Sequence, residues 1–297
     1  MKSLHNYLRA IGFENFKSRE DIQQLIAMTV QQADSRSYVT KDGEKLIGEF
    51  CKDFADGIGI CVCGEFNEQD KFLYDYYYPY IKGTRITTEE DITVSRHSSN
   101  ESYAGVCDDL RVGVTIIFYL QNMVPYIKIQ NENRFPIKGT TLTLSALSLK
   151  GTIVMPIAKT DSDKKYEKKR IREREKLMYK ARKGDESAME SLSIEEMDTY
   201  SAITKHIKTT DIYTIIDNYF MPFGVECDQY SVMGEILECH EVTNKLTGQN
   251  LEMMTINCNE LIFDLCINKK DLLGEPLPGR RFKGNIWMQG YVNYPDM

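Results

Sequence analysis

Eight cysteines and four histidines are the residues best suited to nucleophilic, redox or metal chemistry in this chain, and their spacing decides what they can do. The cysteines are Cys51, Cys61, Cys63, Cys107, Cys227, Cys239, Cys258 and Cys266. Cys61 and Cys63 stand at i and i+2 of a strand-like run, so both thiols face one side of a sheet. A further Cys or His beside them would complete a zinc site. The flanking Ile58, Ile60 and Val62 instead read as a buried strand, where a free thiol acts as a small hydrophobe. The chain holds no Cys-x-x-Cys and no His-Glu-x-x-His, so all eight thiols are expected to be reduced and without metal.

The histidines are His5, His97, His206 and His240, and none accompanies a Gly-x-Ser-x-Gly nucleophile motif. His5 and His206 fall in helix-like patterns, and His97 in a Ser/Asn-rich loop. Neighbouring acids such as Glu89–Glu90 and Asp108–Asp109 point to opposite faces of a strand, which is unsuited to paired acid–base work. No catalytic residue stands out. The glycines of segment 57–64 lead into a β run with no following Gly-Lys-Ser/Thr, so they serve a turn or a bulge rather than a phosphate.

Three stretches have the composition of binding surfaces. Tyr74, Tyr76, Tyr77, Tyr78 and Tyr80 form either a stacking platform or a half-buried strand beside Pro79. Residues 164–183 hold eleven Lys/Arg against three Glu, so a net −7 for the whole chain leaves about −15 on the rest. This run reads as a solvated helix whose bases pair with Glu167, Glu173 and Glu175, or as a phosphate contact. Arg280, Arg281, Lys283 and Trp287 are the strongest ligand-binding candidates, on a strand whose Phe282, Ile286 and Met288 alternate as core.

The elements that must position these residues follow from periodicity. Two short amphipathic helices open the chain, with Leu4, Leu8 and Ile11 on one face of the first. Ser18 caps the second, whose stripe is Ile22, Leu25, Ile26 and Thr29. Strands are expected over Lys45–Phe50, Gly57–Cys63, Lys71–Tyr78, Val112–Leu120, Val124–Ile129, Thr141–Leu147 and Thr152–Ile157, paired antiparallel in one curved sheet. Helices follow over the basic run and over Glu186–Leu192. Ser193 and Glu196 suit a new capping box, and Asp211–Phe220 forms a last helix stopped by Pro222 and Gly224. Strands resume at Tyr230–Val242, Leu251–Ile256, Leu261–Ile267 and Arg281–Val292, the order of a small OB-like barrel with four of its five strands visible.

Leu4–Phe13, Ala181–Met189, Tyr219–Tyr230, Asp271–Pro276 and Gly279–Trp287 resemble blocks of a family of uncharacterised cytosolic proteins from clostridial gut bacteria. That family is itself a domain of unknown function, so the resemblance implies no activity, cofactor or catalytic residue.

The hydrophobic fraction of 42% and charged fraction of 27% are those of a folded globular chain. A pI near 5.3 argues against a surface built wholly for nucleic acid or anionic lipid. With no signal-peptide pattern and no run of eighteen apolar residues, the expected location is cytoplasmic, without membrane contact. The fold expected is α+β. An antiparallel-sheet domain with helices spans 1–160, a helical connector 161–229 and an OB-like β-barrel domain 230–297. The function expected is non-enzymatic binding or scaffolding, without cofactor or metal, toward a protein partner or weakly and non-specifically toward nucleic acid. The alternative is an enzyme whose site is assembled from scattered residues.

Overall fold

The computed structural model describes residues 5–41, 43, 45–96, 102–109, 111–157, 161–206, 213 and 215–295. His97 and its loop lie outside them, as does most of the stretch 207–214. A 3-10 turn over Asn6–Ile11 buries Tyr7, Leu8, Ala10 and Ile11 and ends at Gly12, which takes the left-handed conformation (φ 89°) that glycine adopts without strain. Helix α1 (Arg19–Gln31) starts at the expected capping box: Asp21 N–H donates to Ser18 Oγ, and Ser18 N–H to the Asp21 carboxylate. It buries Leu25, Ile26 and Thr29.

Strands β1 (Ser35–Lys41), β2 (Lys45–Ala55), β3 (Ile58–Phe66) and β4 (Phe72–Ile81) form an antiparallel meander in sequential order. Gly57 (φ 64°) makes the β2–β3 turn, as expected, and Gly64 lies opposite a bulge whose extra residue is Asp75 of β4. A second bulge, at Phe54 between the paired Asp53 and Ala55, shifts β2 against β3 by one residue.

The second sheet contains β5 (Ile92–Arg96), β6 (Tyr103–Asp109), β7 (Val114–Leu120), β8 (Thr141–Val154), β9 (Tyr219–Pro222), β10 (Gln229–Thr243), β11 (Asn250–Cys258), β12 (Leu261–Asn268), β13 (Leu272–Leu273) and β14 (Arg281–Asn293). Five of them close on themselves in the order β8-β12-β11-β10-β14-β8, and a closed ring leaves no edge within itself. Only the β8–β12 pair in that ring is parallel. The fifth strand, expected within 230–297, comes instead from 141–154, on the other side of the helical segment. Near its end β14 also takes β7 in parallel, at Gln289↔Tyr119, and β6 and β5 follow antiparallel.

The fold is thus α+β with a closed barrel and a separate four-stranded sheet, rather than one large sheet. Other element assignments also differ, and the two strands expected over Thr141–Leu147 and Thr152–Ile157 are one, β8, ending at Val154. Val124–Ile129 lies in helix α2 (Met123–Asn131): Pro125 sits in the first turn, where its missing N–H costs nothing, and Met123, Val124 and Ile127 bury one face. Helix α3 (Asp161–Arg182) turns back at Gly184 into α4 (Glu186–His206), which is continuous, so Ser193 lies inside it. The α4 cap is Asp185, whose carboxylate accepts from Ala188 N–H at 3.1 Å. Tyr219 and Phe220, expected in a helix, pair with β10 as part of β9, since aromatic residues favour strands and Pro222 suits a sheet edge.

One contiguous core joins the N-terminal turn, the four-stranded sheet and the barrel. Buried polar groups pin the layers: Gln289 Nε2 donates to Pro79 O at 2.7 Å, Thr84 N–H to Asp264 at 2.7 Å, and Asn244 Nδ2 to Ile11 O at 2.8 Å.

Candidate functional site

The residues nominated by sequence separate into two structural jobs and one cleft. Arg281 is buried, and its guanidinium donates to Met155 O (2.7 and 3.1 Å), Ile216 O (2.7 Å) and Tyr213 O (2.6 Å). Burial lowers its pKa, and its planar donor fork staples 213–217 to the residue following β8. Lys283 donates to the Tyr213 hydroxyl and lies 4.3 Å over that ring. Trp287 donates from Nε1 to Asp228 at 2.7 Å, with its ring packed near His5 (4.9 Å), Tyr7 (5.2 Å) and Tyr119 (5.2 Å). Phe282, Ile286 and Met288 are fully buried, as their alternation requires.

Arg280 and Arg281 do line a cleft at the end of the barrel, of about 810 Å³. Arg280 Nη1 donates to Glu275 O at 2.7 Å and lies 3.5 Å from the Glu275 carboxylate. Facing the arginines are Asp217, Glu235 and Glu260, with Asn257, Asn259 and an apolar side of Ile157, Ile171 and Leu277. Asn259 and Glu260 both have positive φ (54° and 65°), the two-residue turn that joins β11 to β12 and carries the Glu260 side chain to the rim. These acids were missed as site residues; the Asn-Glu pair between two apolar runs was the available signal. On its lining side chains the cleft holds three carboxylates and two guanidiniums that already have backbone carbonyl partners.

The basic run packs as α3 against α4. Lys169–Glu173 is an i,i+4 pair at 3.8 Å, and Arg174 meets Glu195 of α4 at 3.8 Å. The tyrosines form the half-buried strand β4 rather than a platform. Tyr78 and Tyr80 are buried, Tyr76 OH donates to Met123 Sδ (3.4 Å), and Tyr78 OH donates to Gln121 O (2.9 Å).

The register of the four-stranded sheet brings together what sequence left apart. Glu49 stands opposite Cys63, Cys51 opposite Cys61, and Tyr76 and Tyr78 opposite Cys63 and Cys61 from the other side. Without the bulge at Phe54, Cys51 would pair with Val62, and Glu49 and Cys51 would face away from the other thiols. Cys51 Sγ lies 2.8 Å from Cys61 Sγ, and Cys61 Sγ lies 3.9 Å from Cys63 Sγ. The ligand atoms of Glu49, Cys61 and Cys63 all fall within 4.8 Å of one another. Burial pushes the Glu49 carboxyl up to about 8, opposed by N–H donation from Val124 and Met123 at the start of α2. Burial also raises the Cys61 and Cys63 thiols, while the hydrogen bond to Cys61 is the largest cause of the rise at Cys51. A cavity of about 250 Å³ opens beside Cys63, lined by Lys41, Lys45, Tyr74, Tyr76 and Met123.

Of the histidines, His5 is held against Trp287 with Nδ1 lacking a hydrogen-bond partner among the described residues, and burial lowers its pKa to about 4. His240 is exposed on β10.

Fold and site together define an α+β protein with a closed five-stranded barrel, an acidic cleft at the barrel end and a thiol-lined sheet. The chain belongs to the family described as "Domain of unknown function, E. rectale Gene description (DUF3881)", whose model matches residues 8–290. No curated protein and no solved structure matches it. Among the described residues no helix is long and apolar enough to cross a membrane.

Proposed function

We propose that this is a cytoplasmic, non-enzymatic binding protein whose partner is a protein segment rather than nucleic acid, and that the barrel-end cleft takes a lysine- or arginine-bearing stretch of that partner. The observation that carries the reading is the cleft itself: Asp217, Glu235 and Glu260 line it, while the guanidiniums of Arg280 and Arg281 are turned to backbone carbonyls. Three carboxylates against two guanidiniums leave the lining negative by one charge, which favours a cation over a phosphate.

The barrel supports the same choice. We read its β10-β11-β12 meander against the first three strands of an OB-like barrel, a fold that binds oligonucleotides on the face of the second and third. Here β11 and β12 are buried along nearly their whole length, β12 beneath the N-terminal turn where Cys266 Sγ meets Ala10 O. That face is occupied by the chain's own residues, whereas the cleft at the barrel end is open.

The test is fluorescence anisotropy with a labelled oligolysine peptide and a labelled single-stranded oligonucleotide, at about 50 and about 200 mM salt. The peptide is expected to bind and to weaken with salt, and the oligonucleotide to show no saturable binding. Saturable oligonucleotide binding with none of the peptide would overturn the reading.

A further inference from the structure

Three thiols and one carboxylate share a face of the four-stranded sheet, and one oxygen of that carboxylate has no use in the fold. Glu49 is only 6% exposed, and its Oε1 finds no hydrogen-bond partner among the described residues. A buried, unsatisfied carboxylate oxygen beside soft donors calls for a cation. We propose that Glu49, Cys61 and Cys63, with Cys51 as fourth ligand, form a structural zinc site that fastens the β2–β3 hairpin to the start of α2.

The geometry matches the ion. Tetrahedral zinc with Zn–S near 2.3 Å sets its sulfurs about 3.8 Å apart. Cys61 and Cys63 stand at 3.9 Å, held there by the i, i+2 spacing of one strand. Cys51 stands outside the group whose ligand atoms all lie within 4.8 Å of one another, and at 2.8 Å from Cys61 it must swing away from that sulfur to take the fourth position; it is the half-buried member of the set. Thiolates select soft cations, and an oxygen donor favours Zn²⁺ over a cuprous ion. On binding, the thiol protons leave for solvent and the S–Zn and O–Zn contacts replace them, with no change in oxidation state.

The surroundings supply what a metal site needs beyond its ligands. The backbone N–H groups of Met123 and Val124, at the start of α2, act on the Glu49 carboxyl in favour of its ionised form. Tyr76, opposite Cys63 across the β3–β4 pair, donates its hydroxyl to Met123 Sδ and so packs beside the second sulfur. The cavity beside Cys63 gives a path from solvent. Four protein ligands leave no open position, so the role is structural rather than catalytic.

The experiment uses the full chain, purified with reductant, stripped by a chelator and titrated with Zn²⁺ against a chromophoric competitor. One zinc per chain is expected. Glu49→Gln, which keeps shape and leaves the thiols in place, should weaken it at least tenfold (about the loss typical of a perturbed site), and Cys63→Ser more strongly. Cys239→Ser, on β10, should leave the affinity unchanged. Co²⁺ in place of zinc should give a thiolate charge-transfer absorption that Cys63→Ser diminishes. No zinc uptake by the reduced wild type would overturn the site. So would equal affinity in Glu49→Gln and wild type, or tight cuprous binding that is indifferent to Glu49→Gln and excludes zinc.

Discussion

Arginine at 281 and arginine at 280 are neighbours in sequence with opposite roles, and stability measurements should separate them. Arg281→Met strands four backbone carbonyl contacts in a buried setting, so urea unfolding should show a loss of about 3 kcal/mol. Arg280→Ala removes a partly exposed side chain with one neighbouring acid and should cost less than about 1 kcal/mol. Equal losses would contradict the division of labour. His5 makes a second residue-scale prediction. Its folded pKa of about 4 lies below the unfolded value of 6.5, so below 6.5 the unfolded state binds the extra proton. Its contribution is complete above pH 6.5 and is lost as pH falls toward 4. Between pH 6.5 and 5 the loss should be no more than about 2 kcal/mol, and His5→Leu should flatten that window. A wild-type profile as flat as the variant's would contradict it. Sequence nominated Arg280, Arg281, Lys283 and Trp287 for ligand binding, and it could not show the carbonyls that Arg281 serves, which come from residues more than sixty positions away.

At the scale of elements, local signals were legible where local energies decide. The Ser18 capping box, the stripe of α1 and the strands β10, β11, β12 and β14 could all be read from spacing. Helix α2 was not, because Val, Ile and Tyr favour strands in isolation and the tertiary contacts of Met123, Val124 and Ile127 prevailed. The bulge at Phe54 was equally invisible, and it alone sets Glu49 and Cys51 on the face of the other thiols. Exposed Lys165, Lys169, Arg170 and Arg172 on α3 should be the first sites of limited trypsin digestion. Because β8 precedes the cut and pairs with both β12 and β14, the two fragments should co-elute on size exclusion. Early cleavage within β8, or separation of the fragments under native conditions, would contradict the topology.

The whole molecule is organised by barrel closure across the helical hairpin. A fragment of residues 230–297 contains four strands of the ring and lacks β8, the partner of β14 over thirteen registered pairs. It should show no cooperative unfolding transition, and adding a 141–157 peptide should restore one in part; a cooperative fragment without the peptide would contradict the closure. Closure was illegible from sequence because the β8–β12 pairing is parallel and spans more than a hundred residues, a distance over which no periodicity carries information. The central functional claim rests on the sign of charge at the barrel end, so the most direct measurement is oligolysine binding to two oppositely designed variants. Glu235→Lys with Glu260→Lys should reduce affinity at least tenfold at about 50 mM salt, while Arg280→Glu should leave it unchanged or raise it. Loss of binding in Arg280→Glu with full retention in the double glutamate variant would contradict the acidic-cleft account.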